Sequence, residues 1–359
     1  MNVLSTGDYQ VNTSKSRAQF ELLIGLKKRG VNIIILARFS KEVLHKFKDA
    51  EISCIEGFPK SKIDLNYIKD LKKHIVDYKI DIVHAFHGKA LRNTVFAVKN
   101  LPVKLVTYMG SSSIHWHDPS AYFTYLSPRI DTIICNSDYV YKHVKKQLFL
   151  TNKKKAIRIF KGYNPEWFTA IAPFDFTSLG IYKNAIVVCL AADYLKVKGV
   201  EYYIKSTYHI HSKQDIHFIL LGDMRGNKNV PKLIENSPLK NKIHALGSRK
   251  DALAFFKSAD IYVQTSIREG FGRAISEAMC VATPIVMTDA GGCTELIDKK
   301  SGIIVPVKKP KAIAAAIVTL AEDKELRESM GKHAFKRINK TFHIDKTIDE
   351  TLEFYKSLF

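Results

Sequence analysis

The sequence has no long apolar run. Nowhere among its 359 residues does a stretch approach the ~18 apolar positions that cross a bilayer, so no membrane-spanning helix is expected. Cysteine is scarce: Cys54, Cys135, Cys189, Cys280 and Cys293 are scattered, odd in number and never spaced as CxxC. A disulfide framework and a zinc site are therefore disfavoured, and a reducing cytoplasm is the expected setting. Met1-Asn2-Val3-Leu4 turns polar at Ser5 without a basic segment and a long apolar core behind it, so no signal peptide is expected. Acidic residues are few, 35 against 56 Lys and Arg, which leaves a net charge of +21. Such a chain is drawn to anionic partners such as nucleic acid, acidic lipid or phosphorylated ligands. No helix-turn-helix, zinc-finger or RNA-module signature accompanies the charge, so no nucleic-acid partner is expected and a basic nucleic-acid-binding protein ranks low.

What is present is apolar material for sizeable cores. Hydrophobic residues make up 46% and aromatics 11%, and the length suits two domains. Short β-branched runs read as strands at Val31–Ala37, Ile80–Phe86, Val103–Tyr108, Thr132–Cys135, Ile186–Ala191, His217–Leu221, Ile243–Leu246, Ile261–Thr265 and Pro284–Thr288. They are continuous rather than alternating, as strands covered on both faces are. Helix-period segments lie between them, at Ser16–Arg29, Leu65–Tyr78, Ser137–Leu150, Gly199–Ser212 and Phe271–Val281. The alternation predicts two doubly wound α/β units. Pro165, Pro173 and Gly180 place the boundary within Gly162–Tyr182. The expected organisation is residues 1–165, residues 166–342 and a last amphipathic helix, 343–359, packing back toward the first domain.

The segment Ile261–Glu277 carries the chemistry. A strand should end near Thr265, a loop should present Glu269, Gly270, Phe271 and Gly272, and a helix should follow with Glu277 about two turns in. Glycines let backbone N–H groups approach a ligand, and a helix N-terminus favours an anion. Two carboxylates so spaced can address different parts of one elongated ligand, each accepting bonds from hydroxyl groups. The dinucleotide fingerprint fits poorly, because Ile275 stands where Gly or Ala is needed.

The flanking motifs sharpen this. Glu269-x7-Glu277 encloses Gly270-Phe-Gly272 and is followed by Ala278-Met279. Next come Pro284-Ile-Val-Met-Thr-Asp-Ala-Gly-Gly-Cys-Thr-Glu295-Leu-Ile and Ser301-Gly-Ile-Ile-Val-Pro306. Upstream stand Lys198-Gly199, Phe218-Ile-Leu-Leu-Gly-Asp223, Leu246-Gly-Ser-Arg-Lys-Asp251 and Ala259-Asp260-Ile261. In this order the series resembles glycosyltransferase family 4, strongly over the last half of the chain and by architecture over the first. The resemblance implies the GT-B fold, two Rossmann-like domains facing a central cleft, and transfer of a hexose-type sugar from a nucleotide-diphosphate sugar with retention. The acceptor would be a hydroxyl of a glycan or lipid-linked molecule, in envelope polysaccharide or lipopolysaccharide synthesis, with a uridine diphosphate sugar as the default donor. A sugar-nucleotide epimerase of the same fold is the alternative.

The resemblance also implies roles. Glu277 should grip ribose hydroxyls, and Glu269 should contact the transferred sugar. Main-chain N–H groups around Gly270, Phe271, Gly272 and Arg273 should support sugar and diphosphate. Lys198 should neutralise the leaving diphosphate. Gly247, Ser248 and Arg249 should border the base. Relatives commonly have an arginine shortly before the Lys-Gly pair; here Lys196 is the substitute, a point charge without arginine's fork. No Asp-x-Asp pair occurs, which agrees with no metal cofactor.

On the acceptor side, the loop Thr6–Ser16 offers Ser14 and Lys15 in place of the glycine pair common in the family. A second loop, Thr107–Pro119, carries Gly110, with Met109 where many relatives have histidine. His115 or His117 is the expected replacement. The basic, aromatic stretch Tyr139–Lys155 suits an anionic membrane surface, so the expected location is cytoplasmic, at the inner face of the cell membrane.

Overall fold

The computed structural model describes residues 1–10, 13–148, 153–225 and 229–359, with the side chains of residues 13–15 outside that description. Its contacts divide the chain into two units, Met1–Gly162 joined by Ile344–Phe359, and Tyr163–His343.

Unit 1 holds β1 (Asn2–Tyr9), β2 (Asn32–Phe39), β3 (Ser53–Glu56), β4 (Ile82–Ala85), β5 (Lys104–Met109), β6 (Thr132–Cys135) and β7 (Ala156–Arg158). All pair in parallel, in the order β3-β2-β1-β4-β5-β6-β7. Parallel neighbours need crossovers, and the helices supply them: α1 (Thr13–Lys28), α2 (Lys41–Asp49), α3 (Leu65–Asp77), α4 (Gly88–Ala97) and α5 (Asp138–Gln147). Three of these start where a short polar side chain caps the first turn. Ser40, Asp64 and Ser137 accept from the N–H groups of Val43, Tyr67 and Val140.

Unit 2 repeats the plan with β8 (Ile186–Ala191), β9 (Ile216–Leu221), β10 (Ile243–Gly247), β11 (Ile261–Gln264), β12 (Ile285–Thr288) and β13 (Gly302–Val305). These too are parallel, in the order β10-β9-β8-β11-β12-β13. Its helices are α6 (Val200–Ser206), α7 (Asn229–Glu235), α8 (Ala252–Ser258), α9 (Arg273–Cys280), α10 (Pro310–Glu322) and α11 (Lys324–Thr341). Then α12 (Ile344–Lys356) joins unit 1 and packs on α1. Gly25 makes that packing close, since a Cβ there would stand 2.2 Å from Ile348 Cδ1. Arg29 closes the contact by pairing with Asp345 at 3.2 Å and Asp349 at 2.6 Å.

Several expectations need correction. The expected loop Thr6–Ser16 is mostly regular structure: β1 runs to Tyr9 and α1 begins at Thr13. The helix expected over Gly199–Ser212 stops at Ser206 and continues only as one tighter turn, Thr207–His209. The helix expected from Phe271 starts at Arg273, because Gly272 at φ +106° has left helical backbone. The helix expected over Ser137–Leu150 begins at Asp138 and ends at Gln147, and Leu150 lies outside the described residues. The strands β1, β3, β7 and β13 come in addition to those read from the sequence. Among the described residues no helix is long and apolar enough to cross a membrane.

Candidate functional site

In unit 2 the strand order reverses between β8 and β11. The segments leaving the C-terminal ends of these two strands therefore open a crevice, the usual ligand position in such sheets. The segment after β8 makes a tight turn, Lys196–Lys198, closed by Gly199 at φ +63°. The segment after β11 is stitched to it. Ile267 N–H donates to Val197 O at 2.7 Å, and Thr265 Oγ1 donates to Gly199 O at 2.9 Å. A Cβ on residue 199 would stand 2.0 Å from Thr265 O, so glycine is required by backbone angle and by space.

This stitching brings Lys198 to Glu269, with Nζ 2.6 Å from Oε2. Glu269 is held on its main chain as well. Its N–H donates to Ala290 O at 2.7 Å, and its carbonyl accepts from Gly292 N–H at 3.0 Å. Gly291 makes the reverse turn there at φ +87°. The side chains of Lys198 and Glu269 are 30% and 16% exposed, so both groups can still meet a ligand. A lysine ammonium has three donors, and Glu269 takes one.

Gly270, Phe271 and Gly272 lead into α9. Phe271 is buried with its ring edge against Phe342, at 5.7 Å between centroids. Arg273 opens the helix and reaches Glu277 one turn on, Nη1 to Oε1 at 3.2 Å. Glu277 is buried, and the pKa of the Tyr262 hydroxyl is driven far up, by burial first and then by electrostatic interaction with Cys189 and Glu277. Lys196 is exposed on the turn that carries Lys198. Thus Lys196, Lys198, Glu269, Gly270, Phe271, Gly272, Arg273 and Glu277 all lie on the segments after β8 and β11.

Gly247 ends β10, the outer strand, and Ser248 and Arg249 follow it. Gly247 takes φ +70° in open space, and Ser248 is exposed. Arg249 grips Asp251 with two bonds of 2.8 and 2.7 Å and lies over the Phe255 ring. In unit 1, Gly110 follows β5, and its carbonyl accepts from Asn136 Nδ2 at 3.3 Å. His115 and His117 stack on each other at 5.3 Å, while Trp116 N–H bonds Gln147 Oε1 and His143 bonds Ile114 O. That loop is thereby pinned on α5. Met109 is buried. Ser14 and Lys15 fall in the first turn of α1, and their side chains lie outside the described residues. Among the described residues no group of three or more His, Cys, Asp or Glu is placed to hold a metal ion.

Sequence reasoning gave no role to Gln264 and Ser266, which join Glu269 by hydrogen bonds. The signal was a polar residue inside an otherwise apolar strand.

Residues 172–337 match the family described as glycosyl transferases group 1, and residues 16–167 match glycosyltransferase family 4. An uncharacterized glycosyltransferase of Methanocaldococcus jannaschii is 27% identical over 310 residues, spanning 82% of this chain and 80% of the relative. The N,N'-diacetylbacillosaminyl-diphospho-undecaprenol alpha-1,3-N-acetylgalactosaminyltransferase of Campylobacter jejuni is 32% identical, over 44% of this chain and 41% of that enzyme. Anabaena HepE in complex with UDP-glucose superposes with a TM-score of 0.80 at 18% identity, over 99% of this chain and 100% of that one.

Proposed function

We propose that this chain, which belongs to the group 1 glycosyltransferases and has their GT-B fold, moves a hexose-type sugar from a uridine diphosphate sugar to a hydroxyl acceptor with retention of configuration. The observation that carries the reading is the contact of Lys198 with Glu269 at the strand-order reversal, with Glu277 one turn into the helix that follows on the same segment. A cation beside the sugar-facing carboxylate is where a leaving diphosphate gathers charge, and a fixed cation stabilises that charge most as the bond breaks. Lys198 keeps donors for phosphate oxygens, and Lys196 adds a second cation. Glu277, oriented by Arg273, takes the ribose hydroxyls. With two lysines and no Asp-x-Asp pair, turnover is expected to need no metal and to persist in EDTA.

Unit 1 supplies the acceptor residues, Gly110, His115 and His117 among them. The acceptor is a glycan or a lipid-linked carrier of envelope polysaccharide or lipopolysaccharide synthesis. The Campylobacter relative, whose name carries an undecaprenol-linked sugar, supports that choice. The enzyme works at the inner face of the membrane, held there by charge.

Calorimetric titration tests the donor site. A hydrogen bond to a charged group contributes about 1.5–3 kcal/mol, so Glu277→Ala should weaken UDP binding by about tenfold or more. Glu269→Ala should spare UDP and weaken the UDP-sugar. Unchanged UDP affinity in folded Glu277→Ala protein refutes the assignment.

A further inference from the structure

Strand β11 is buried along its whole length, yet two of its four residues are polar: Tyr262 and Gln264. They are two apart and so share one face, and Ser266 prolongs the row just beyond the strand. The three side chains form a chain of bonds. Tyr262 Oη donates to Gln264 Oε1 at 2.8 Å, Gln264 Nε2 donates to Ser266 Oγ at 2.8 Å, and Ser266 Oγ donates to Glu269 Oε2 at 3.4 Å. Gln264 is 3% exposed, and Tyr262 and Ser266 are fully buried.

The direction of this chain follows from its end. Glu269, ion-paired with Lys198, offers only acceptors. Ser266 must therefore donate to it, must accept from Gln264, and turns the amide so that its oxygen receives the tyrosine proton. Each bond polarises the next, and a buried network of this kind holds one geometry only when every member is satisfied. At its far end, Tyr262 feels the charge of Glu277. The chain thus links the neighbourhoods of both carboxylates.

The geometry points to Gln264 and Ser266 as positioning residues that fix Glu269 for the transferred sugar, with Tyr262 as their anchor. The sugar-facing role of Glu269 comes from the donor reading above, so the test has one arm that needs no ligand. In protein carrying isotope-labelled glutamine, the Gln264 amide is assigned by its loss in Gln264→Leu. At neutral pH, Glu269→Gln should move that amide resonance, and in a Ser266→Ala background the same change should move it far less. This is a double-mutant cycle in which the coupling belongs to the serine. An equal shift in both backgrounds, or none in either, overturns the chain.

The second arm uses ligands. One hydrogen bond is a factor of about five in an equilibrium constant. Gln264→Leu and Ser266→Ala should each bring UDP-glucose about fivefold closer to UDP in affinity, while UDP itself binds as in the wild type. Ser266→Thr, which keeps the hydroxyl, should restore the gap. Equal loss for both ligands would show a merely structural role and overturn the inference. If the wild type binds neither ligand, the donor reading falls, and the amide cycle still judges the chain.

Discussion

At the scale of single residues, two glycines separate two demands on the backbone. Gly199 and Gly247 both hold positive φ, at +63° and +70°. Only Gly199 is also pressed against another segment, with Thr265 O filling the place of a Cβ. Gly247→Ala should therefore cost only the left-handed penalty, about 1–2 kcal/mol. Gly199→Ala must also push apart the turns that bear Lys198 and Glu269. Thermal unfolding should show a larger fall for Gly199→Ala, each kcal/mol being about 2–4 °C, and that variant should also lose UDP binding. An equal fall would mean that the close approach carries no weight. Glu269, Glu277 and Lys198 were readable in the sequence because each lies inside a local motif. Their contacts were not: Lys198 and Glu269 are 71 positions apart, and no local pattern encodes such a meeting. Gln264 was hidden in a strand that reads as apolar, and the pairing of Arg249 with Asp251 was not read from the sequence.

At the scale of elements, the strands that escaped the sequence reading did so for physical reasons. β1 lies mid-sheet, yet it carries Ser5 and Thr6 fully buried, and a polar pair hides a strand from hydropathy. β3 and β7 are outer strands, one only half-buried and one of three residues, so neither shows a long apolar run. The central strands of unit 2, β8 and β9 among them, were readable because each carries a run of apolar residues. Strand β4 and helix α12 meet through a buried pair, His84 Nδ1 and Tyr355 Oη at 2.6 Å. Burial lowers the His84 pKa to about 3, and burial and then His217 lower that of His244. An unfolded histidine titrates near ~6.5, so below that pH the unfolded chain binds protons that the folded chain refuses. Stability is thus full above ~6.5 and falls with acid, by about 1.4 kcal/mol per pH unit for His84. Calorimetry from neutral pH to about pH 5 should show the melting temperature dropping. Replacing both partners, His84→Phe with Tyr355→Phe, should flatten that drop without orphaning either group. The same slope in the double variant would assign the acid limb elsewhere.

At the scale of the whole molecule, the excess of positive charge has a location to test. Lys145 and Lys146 on α5 and Lys153 beyond it are exposed. Lys155 is not equivalent, because its ammonium bonds Pro128 O at 2.7 Å and burial lowers its pKa. Each lysine beside an anionic bilayer contributes about 1 kcal/mol, screened over a Debye length of ~8 Å. Vesicles rich in anionic lipid should therefore float the protein at low salt and release it at high salt. Lys145→Glu, Lys146→Glu and Lys153→Glu together should abolish flotation and leave UDP binding intact. A wild type that ignores such vesicles at low salt would point to a soluble acceptor. The return of α12 to unit 1 has a further consequence, for biosynthesis. A ribosome releases Gly162 long before Ile344, and at ~5–20 residues per second roughly ten seconds or more separate them. Through that interval the nascent first unit carries an uncovered groove along Gly25 and His84. The second unit, contiguous in the chain, has every strand and helix it needs before its partner does. Translation order thus gives the later-encoded unit its full sequence first, and the first-encoded unit lacks α12 until the segment from Ile344 has been made.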